Sequence, residues 1–173
     1  MGLLNVQALA HYPFAELVVS DIKEANLELA KRFGATETIR SDTAGGAARL
    51  EELRDTPFDL VVEASGAVLP MEQAGDLTRS GGRLGIFAWH HQPRLVDLGL
   101  WHVKGIRVLN AAPGIGLDYA VDPFERAIRL LERGVFDQGP LITHRHPLDK
   151  VQEALEVAAE RRPNYIKGVL EFG

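Results

Sequence analysis

The sequence predicts an α/β domain built on a parallel sheet. Three observations carry that expectation. Short runs rich in Val, Leu and Ile alternate with helix-period stretches along the whole chain. The clearest of these runs are continuously apolar, as strands covered on both faces are. No repeat, linker or low-complexity segment breaks the alternation.

Residues 3–10, LLNVQALA, are rich in Leu and Ala and read as a helix buried on most of its surface, ended by Pro13. AELVVSD at 15–21 is too short for a helix and reads as a buried strand. Residues 23–33 follow as a helix with Leu29, Ala30 and Phe33 on one face and Gly34 as the left-handed residue beyond its end. A weak strand at 36–39 leads through a Gly-containing polar stretch into a short helix. FDLVVEASG then holds the clearest buried strand, Phe58 to Ala64, stopped by Gly66. A helix from Pro70 to Arg79 and a strand in GRLGIFAW come next, and GIRVLNA at 105–111 reads as a strand before a Pro/Gly turn. Asp122-Pro123 opens a helix with Asp at the N-cap and Pro at the first position. Its apolar stripe is Phe124, Ala127, Ile128 and Leu131, and Gly134 ends it. PLITHRHPL reads as a strand, Val151 to Ala159 as a helix, and YIKGVLEF as the final strand.

At 173 residues the chain is long enough for one domain with a core and short for two. Nineteen Lys and Arg against 24 Asp and Glu give 19 − 24 = −5, without charged runs, which argues against a nucleic-acid or anionic-membrane surface. A small neutral or phosphate-bearing ligand fits better. With no cysteine, disulfides and thiolate zinc sites are excluded, and a cytoplasmic setting is the default. The apolar stretches fall short of the ~18 residues a membrane helix needs, and no targeting signal is visible.

In a doubly wound sheet the helix N-terminus after the first strand holds a pyrophosphate, and an acid about 20 residues further on binds the adenosine ribose hydroxyls. Gly2 and Asp21 stand 19 apart, with a helix and then a strand between them. A carboxylate at Asp21 accepts both ribose hydroxyls and repels a 2′-phosphate, which favours NAD over NADP; the alternative is that Asp21 only caps the following helix. The six histidines do not form a zinc site by spacing: His90-His91 reads as an exposed loop pair, His144 and His146 as a half-buried strand pair with backbone partners. Glu63 reads as a hydrogen-bonded structural carboxylate rather than a general base, and Trp89 and Trp101 as packing residues.

The series MGLLNVQALA, LVVSDIKEANLELAKRFGATETI, FDLVVEASG, LTRSGGRLGIFAW, PLITHRHPLDKVQEALEVAAE and YIKGVLEF resembles, in order and spacing, the C-terminal portion of the medium-chain dehydrogenase/reductase family, the zinc-type alcohol, polyol and threonine dehydrogenases. The resemblance implies a Rossmann-like doubly wound parallel sheet lacking its first strand. Within it Gly2 matches the last glycine of the phosphate-binding turn, Asp21 the ribose acid and Ile22 the residue beside the adenine. It further implies that Ala64, Ser65 and Gly66, with Phe87, Ala88 and Trp89, line the cofactor crevice, that Leu109 and Asn110 lie near the nicotinamide, and that Lys167 reaches back to the pyrophosphate. Many relatives carry a basic residue where this chain has Asn26. The implied organisation is a partial dinucleotide-binding domain over 1–118 and a C-terminal helix-strand-helix-strand segment over 119–173 that packs back toward a catalytic domain. NAD is the implied cofactor. Zinc belongs to the complete family enzyme, whose N-terminal catalytic domain has no counterpart here, so neither a catalytic nor a metal-ligating residue is assigned.

The missing strand is central in the order 3-2-1-4-5-6, between the strands read at 15–21 and 58–64. Its ladder bonds and buried side chains are worth as much as a domain's net ~5–15 kcal/mol. The chain is therefore expected to be marginal alone, unless the flanking strands close up, two copies pair through exposed edges, or a separate polypeptide supplies the strand. Met1 falls inside a motif, which favours a truncated piece of a longer enzyme. The leading expectation is the NAD(H)-binding part of an alcohol or polyol dehydrogenase, with little or no turnover alone. A non-catalytic nucleotide-binding or dimerisation module is the alternative. An S-adenosylmethionine methyltransferase, which also uses an acid after its second strand, has no use for PLITHRHPL.

Overall fold

The computed structural model describes residues 1–93, 95–111, 122–160 and 164–172. The turn expected after 111 and the boundary expected at 118/119 lie outside these residues. The chain separates into two compact units. The first takes Met1–Gly2 and the described residues between Ser41 and Ala120; the second takes Leu3–Arg40 and the described residues from Val121 onward.

In the first unit, helix α3 (Ala44–Glu52) precedes a three-stranded parallel sheet of β3 (Phe58–Glu63), β4 (Thr78–Ile86) and β5 (Arg107–Asn110), ordered β3-β4-β5. Helix α4 (Val68–Leu77) connects the first two strands and α5 (Leu98–Lys104) the last two, as parallel neighbours require a crossover. Thr43 caps α3 through its side chain, which accepts from Gly46 N at 3.1 Å. The core is Leu50, Leu53, Met71, Ala74 and Leu84 with the buried Thr78, whose Oγ1 donates to Ala74 O at 2.7 Å. That bond satisfies a hydroxyl that would otherwise be buried alone.

The second unit holds two two-stranded parallel sheets. β1 (Val18–Asp21) and β2 (Glu37–Arg40) are joined by α2 (Glu24–Arg32), and β6 (Ile142–Pro147) and β7 (Lys167–Glu171) flank α7 (Val151–Glu160). Also in this unit are α1 (Gly2–Ala10), whose Gly2 falls in the first unit, and α6 (Pro123–Glu132). Its core is Val6, Leu27, Ala30, Ile39, Leu141 and Val157. The buried Gln7 amide takes both main-chain groups of Asp137, accepting from its N at 2.5 Å and donating to its O at 3.0 Å. Gly34 has φ +107°, and a Cβ there would come within 2.9 Å of Ala10 Cβ, so both conformation and space call for glycine after α2.

The parallel α/β expectation is borne out, with Asp122 at the N-cap of α6 and Pro123 behind it. Four differences have physical causes. The sequence predicts no helix at 98–104, yet α5 forms there with Asp97 Oδ1 accepting from Leu100 N at 2.9 Å. Second, β3 is half-buried rather than buried along most of its length, because its only ladder partner among the described residues is β4. Likewise, among the described residues β1 pairs only with β2, and α1 buries only Val6 and Gln7 instead of most of its surface. Finally, the apolar stripe of α6 is present but uncovered, with Phe124 81% exposed. An amphipathic pattern shows that a helix has an apolar face, not what lies on it. Among the described residues no helix is long and apolar enough to cross a membrane.

Candidate functional site

Within the first unit, a cleft of ≈ 350 Å³ opens where all three strands end, lined by Ala64 and Ser65 after β3, Phe87, Ala88 and Trp89 after β4, Ala111 after β5, and Met1. The carboxyl ends of parallel strands are where open α/β sheets bind ligands. Of the residues implied by the resemblance, Ala64, Ser65, Phe87, Ala88 and Trp89 line this cleft. Gly66 adjoins it, with φ +72° and a position at which a Cβ would lie 3.1 Å from Trp89 O. Leu109 and Asn110 lie on the edge strand β5, paired with Gly85 and Ile86, and are not among the lining residues; Ala111 and Met1, which the sequence did not single out, are. Trp89 lies at the cleft, where the resemblance puts it, but it does not pack as its reading as a packing residue expects: it is 68% exposed, its ring 6.1 Å from that of His91. Trp101 does pack, against the bare Cα of Gly75 on α4.

Gly2 faces Ala64, where an added Cβ would stand 3.8 Å from Ala64 Cβ, an ordinary contact. Gly2→Ala is therefore expected to leave the melting temperature within about 2 °C of wild type. A nucleotide-affinity loss under that unchanged stability, read by calorimetry, assigns Gly2 to close backbone approach to a phosphate; a large drop in melting temperature contradicts the open contact.

One carboxylate organises the cleft walls. Glu63, at the end of β3, is 4% exposed. Its Oε1 accepts from Ser65 N at 2.8 Å, Ser65 Oγ at 2.6 Å and Gly66 N at 2.9 Å. Its Oε2 lies 3.0 Å from His90 Nε2, and its main-chain oxygen accepts from Phe87 N at 2.9 Å and Ala88 N at 3.1 Å. The expectation of a hydrogen-bonded structural carboxylate agrees with these contacts. The expectation of an exposed His90 does not: its side chain is only 15% exposed, because the bond to Glu63 holds it inward, while His91 is exposed. A partner 27 residues away leaves no local signal in the sequence.

In the second unit, Asp21 ends β1, half-buried. Oδ1 accepts from Lys23 N at 2.8 Å and Oδ2 from Asn26 Nδ2 at 2.9 Å. Asp21 thus fastens the strand-to-helix turn, while Lys23 rather than Asp21 occupies the N-cap of α2. An ionised carboxylate has about four acceptor sites, and among the described residues two are used here, one on each oxygen. Ile22 beside it is exposed. Lys167 is exposed at the start of β7, its main-chain oxygen accepting from Thr143 Oγ1 at 3.3 Å. His144 and His146 are half-buried on β6 with stacked rings 6.5 Å apart; His144 Nδ1 meets the Thr143 hydroxyl at 2.9 Å rather than a backbone group, and His146 Nε2 is buried without a partner among the described residues. Among the described residues no three His, Cys, Asp or Glu side chains are grouped to hold a metal ion.

Comparison with known proteins places these features in a family context. A family model described as zinc-binding dehydrogenase matches residues 1–133. L-threonine 3-dehydrogenase of Pectobacterium carotovorum is 28% identical over 160 residues, covering 90% of this chain and 44% of that protein. An oxidoreductase/dehydrogenase of unknown specificity from Escherichia coli superposes with a TM-score of 0.83 at 24% identity, over 99% of this chain and 48% of that one. An E. coli alcohol dehydrogenase complexed with NADH superposes with a TM-score of 0.79 at 23% identity, over 99% and 49%. The chain spans less than half the length of the curated relatives it matches.

Proposed function

The chain belongs to the zinc-binding dehydrogenase family, and from that premise we propose that it is the NAD(H)-binding part of an alcohol or polyol dehydrogenase. The observation that carries the reading is the cleft at the carboxyl ends of β3, β4 and β5. A relative's structure that holds NADH supports it. In this reading Asp21 accepts the adenosine ribose hydroxyls, Ile22 covers the adenine, and Gly2 and Lys167 serve the pyrophosphate. Ala64, Ser65, Gly66, Phe87 and Ala88 take the nicotinamide end, with Leu109 and Asn110 beside it. The bound dinucleotide supplies the hydride acceptor or donor, and the residues of this chain bind and orient it.

Hydride exchange with a carbonyl also needs an electrophile. The residues here do not fit a zinc ion: the chain has no cysteine, and among the described residues no ligand cluster exists. The electrophile and substrate pocket are assigned to a catalytic part with which this chain pairs, residues 1–118 contributing most of the nucleotide site and 119–173, which carries Lys167, packing toward that part. A cytoplasmic setting, no nucleic-acid partner and little turnover by the chain alone complete the reading.

Calorimetric titration of the 173-residue chain with NADH, NADPH and S-adenosylmethionine tests it. NADH is expected to bind at least about tenfold more tightly than NADPH, a difference of roughly 1.4 kcal/mol. Binding of S-adenosylmethionine alone, or of none of the three, overturns the reading. A second reading, a non-catalytic dimerisation module, is favoured by β5, an edge strand among the described residues and exposed at every position. Sedimentation of a stable dimer that binds no nucleotide selects it.

A further inference from the structure

We infer that Glu63 and His90 are positioning residues, which hold the two walls of the cleft at the spacing that the nicotinamide half of the cofactor requires. The inference rests on the NAD(H) reading above and adds residues that reading does not use. Glu63 touches both walls. Its Oε1 gathers the turn after β3 through Ser65 and Gly66, its main-chain oxygen holds Phe87 and Ala88 after β4, and its Oε2 reaches His90 at 3.0 Å. Four of the lining residues, Ala64, Ser65, Phe87 and Ala88, are bonded to Glu63 or adjacent to it in sequence, and Trp89 lies between two residues that are.

The second wall would otherwise be loosely held. Beyond Ile86 the strand has ended, and Trp89 is largely exposed. What fixes the wall there is the bond from the largely covered side chain of His90 back to Glu63, together with the approach of Trp89 O to Gly66, whose missing side chain leaves the room. A carboxylate already accepting three donors at Oε1 takes His90 Nε2 as a donor at Oε2, and a charge-assisted bond of this kind is about twice as strong as a neutral one. His90 Nδ1 is buried without a partner among the described residues. A ring kept for packing alone gains nothing from that bare nitrogen, so the contribution of the imidazole lies in its bond to Glu63. The hydroxyl of Ser65 is committed in the same way, donating to Glu63 Oε1 and accepting from Ala67 N at 3.1 Å. It braces the wall rather than facing the ligand.

The test compares NADH with ADP-ribose, which lacks the nicotinamide, by calorimetry on the full chain. His90→Leu keeps the bulk and removes the bond; it is expected to weaken NADH about tenfold and to leave ADP-ribose within about twofold. Glu63→Gln keeps an acceptor for Ser65 and Gly66 and turns an amide donor toward His90, whose ring can accept in its other tautomer. It is expected to retain NADH affinity within about threefold and so to rescue the clamp without the charge. An equal loss for both ligands in His90→Leu marks a general structural role and overturns the inference, as does no loss for either. A wild-type chain that binds neither ligand overturns the NAD(H) reading itself, and the inference with it.

Discussion

Leu84→Ala is expected to cost the first unit about 2–5 kcal/mol of stability, near the upper end of that range. Leu84 is 0% exposed, on the central strand of the three-stranded sheet, opposite Val61 of β3 on one side and Val108 of β5 on the other. Truncation removes three carbons' worth of buried surface and leaves a void. Both neighbouring strands are held in register by the backbone ladder, so they cannot shift inward to fill it. Leu109→Ala is the control: this residue lies on the edge strand and is 53% exposed, so its truncation is expected to cost under about 1 kcal/mol. Guanidinium unfolding followed by far-UV circular dichroism reads both. Equal losses would mean that β4 is not the buried centre of the sheet.

The contrast between these two leucines also marks what a sequence can carry. GRLGIF and GIRVLN are similar strand signals, and nothing local says that one is central and the other an edge. Features fixed by neighbours in the chain were legible. The alternation of strand and helix, Gly34 beyond α2 and the Asp122-Pro123 start of α6 all follow from local conformational preference. Features fixed by distant partners were not. His90 looks like a loop histidine until Glu63, 27 residues earlier, meets it. Likewise, the stripe of α6 and the apolar run of β3 forecast burial that depends on a covering surface, and Phe124 and Leu60 lack full cover. Helix α5 is hidden in the sequence because Gly99 and closely spaced apolar residues blur its period, and its one local signal is the Asp97 cap. In the candidate site the legible part, the ends of β3 and β4, came from what the family resemblance implies; local punctuation by Gly66 marks only where β3 stops. Met1 and Ala111 entered only through packing.

Asp21→Asn is expected to weaken NADH binding about 10- to 100-fold while changing NADPH less than about threefold, because for the first ligand two charge-assisted hydroxyl bonds at ~1.5–3 kcal/mol each fall to about half their strength when the charge is lost, and for the second the repulsion of a 2′-phosphate is relieved. The turn geometry makes the substitution more than a loss of charge. Oδ1 holds Lys23 N and Oδ2 holds Asn26 Nδ2. An asparagine that keeps its oxygen on Lys23 N sets its own amide N–H groups against those of Asn26, a donor facing donors. Some loss of stability, about 1 kcal/mol, therefore accompanies the variant whatever Asp21 binds. Asn26→Ala separates the two effects. It breaks one bond of the turn yet leaves the carboxylate in place with a lone pair freed, so melting falls slightly while NADH affinity is unchanged or higher. If Asp21 serves the turn alone, Asn26→Ala and Asp21→Asn lower stability alike, and neither changes the ratio of NADH to NADPH affinity. If Asp21 is the ribose acid, only Asp21→Asn moves that ratio, and calorimetric titration of the two dinucleotides reads the difference directly.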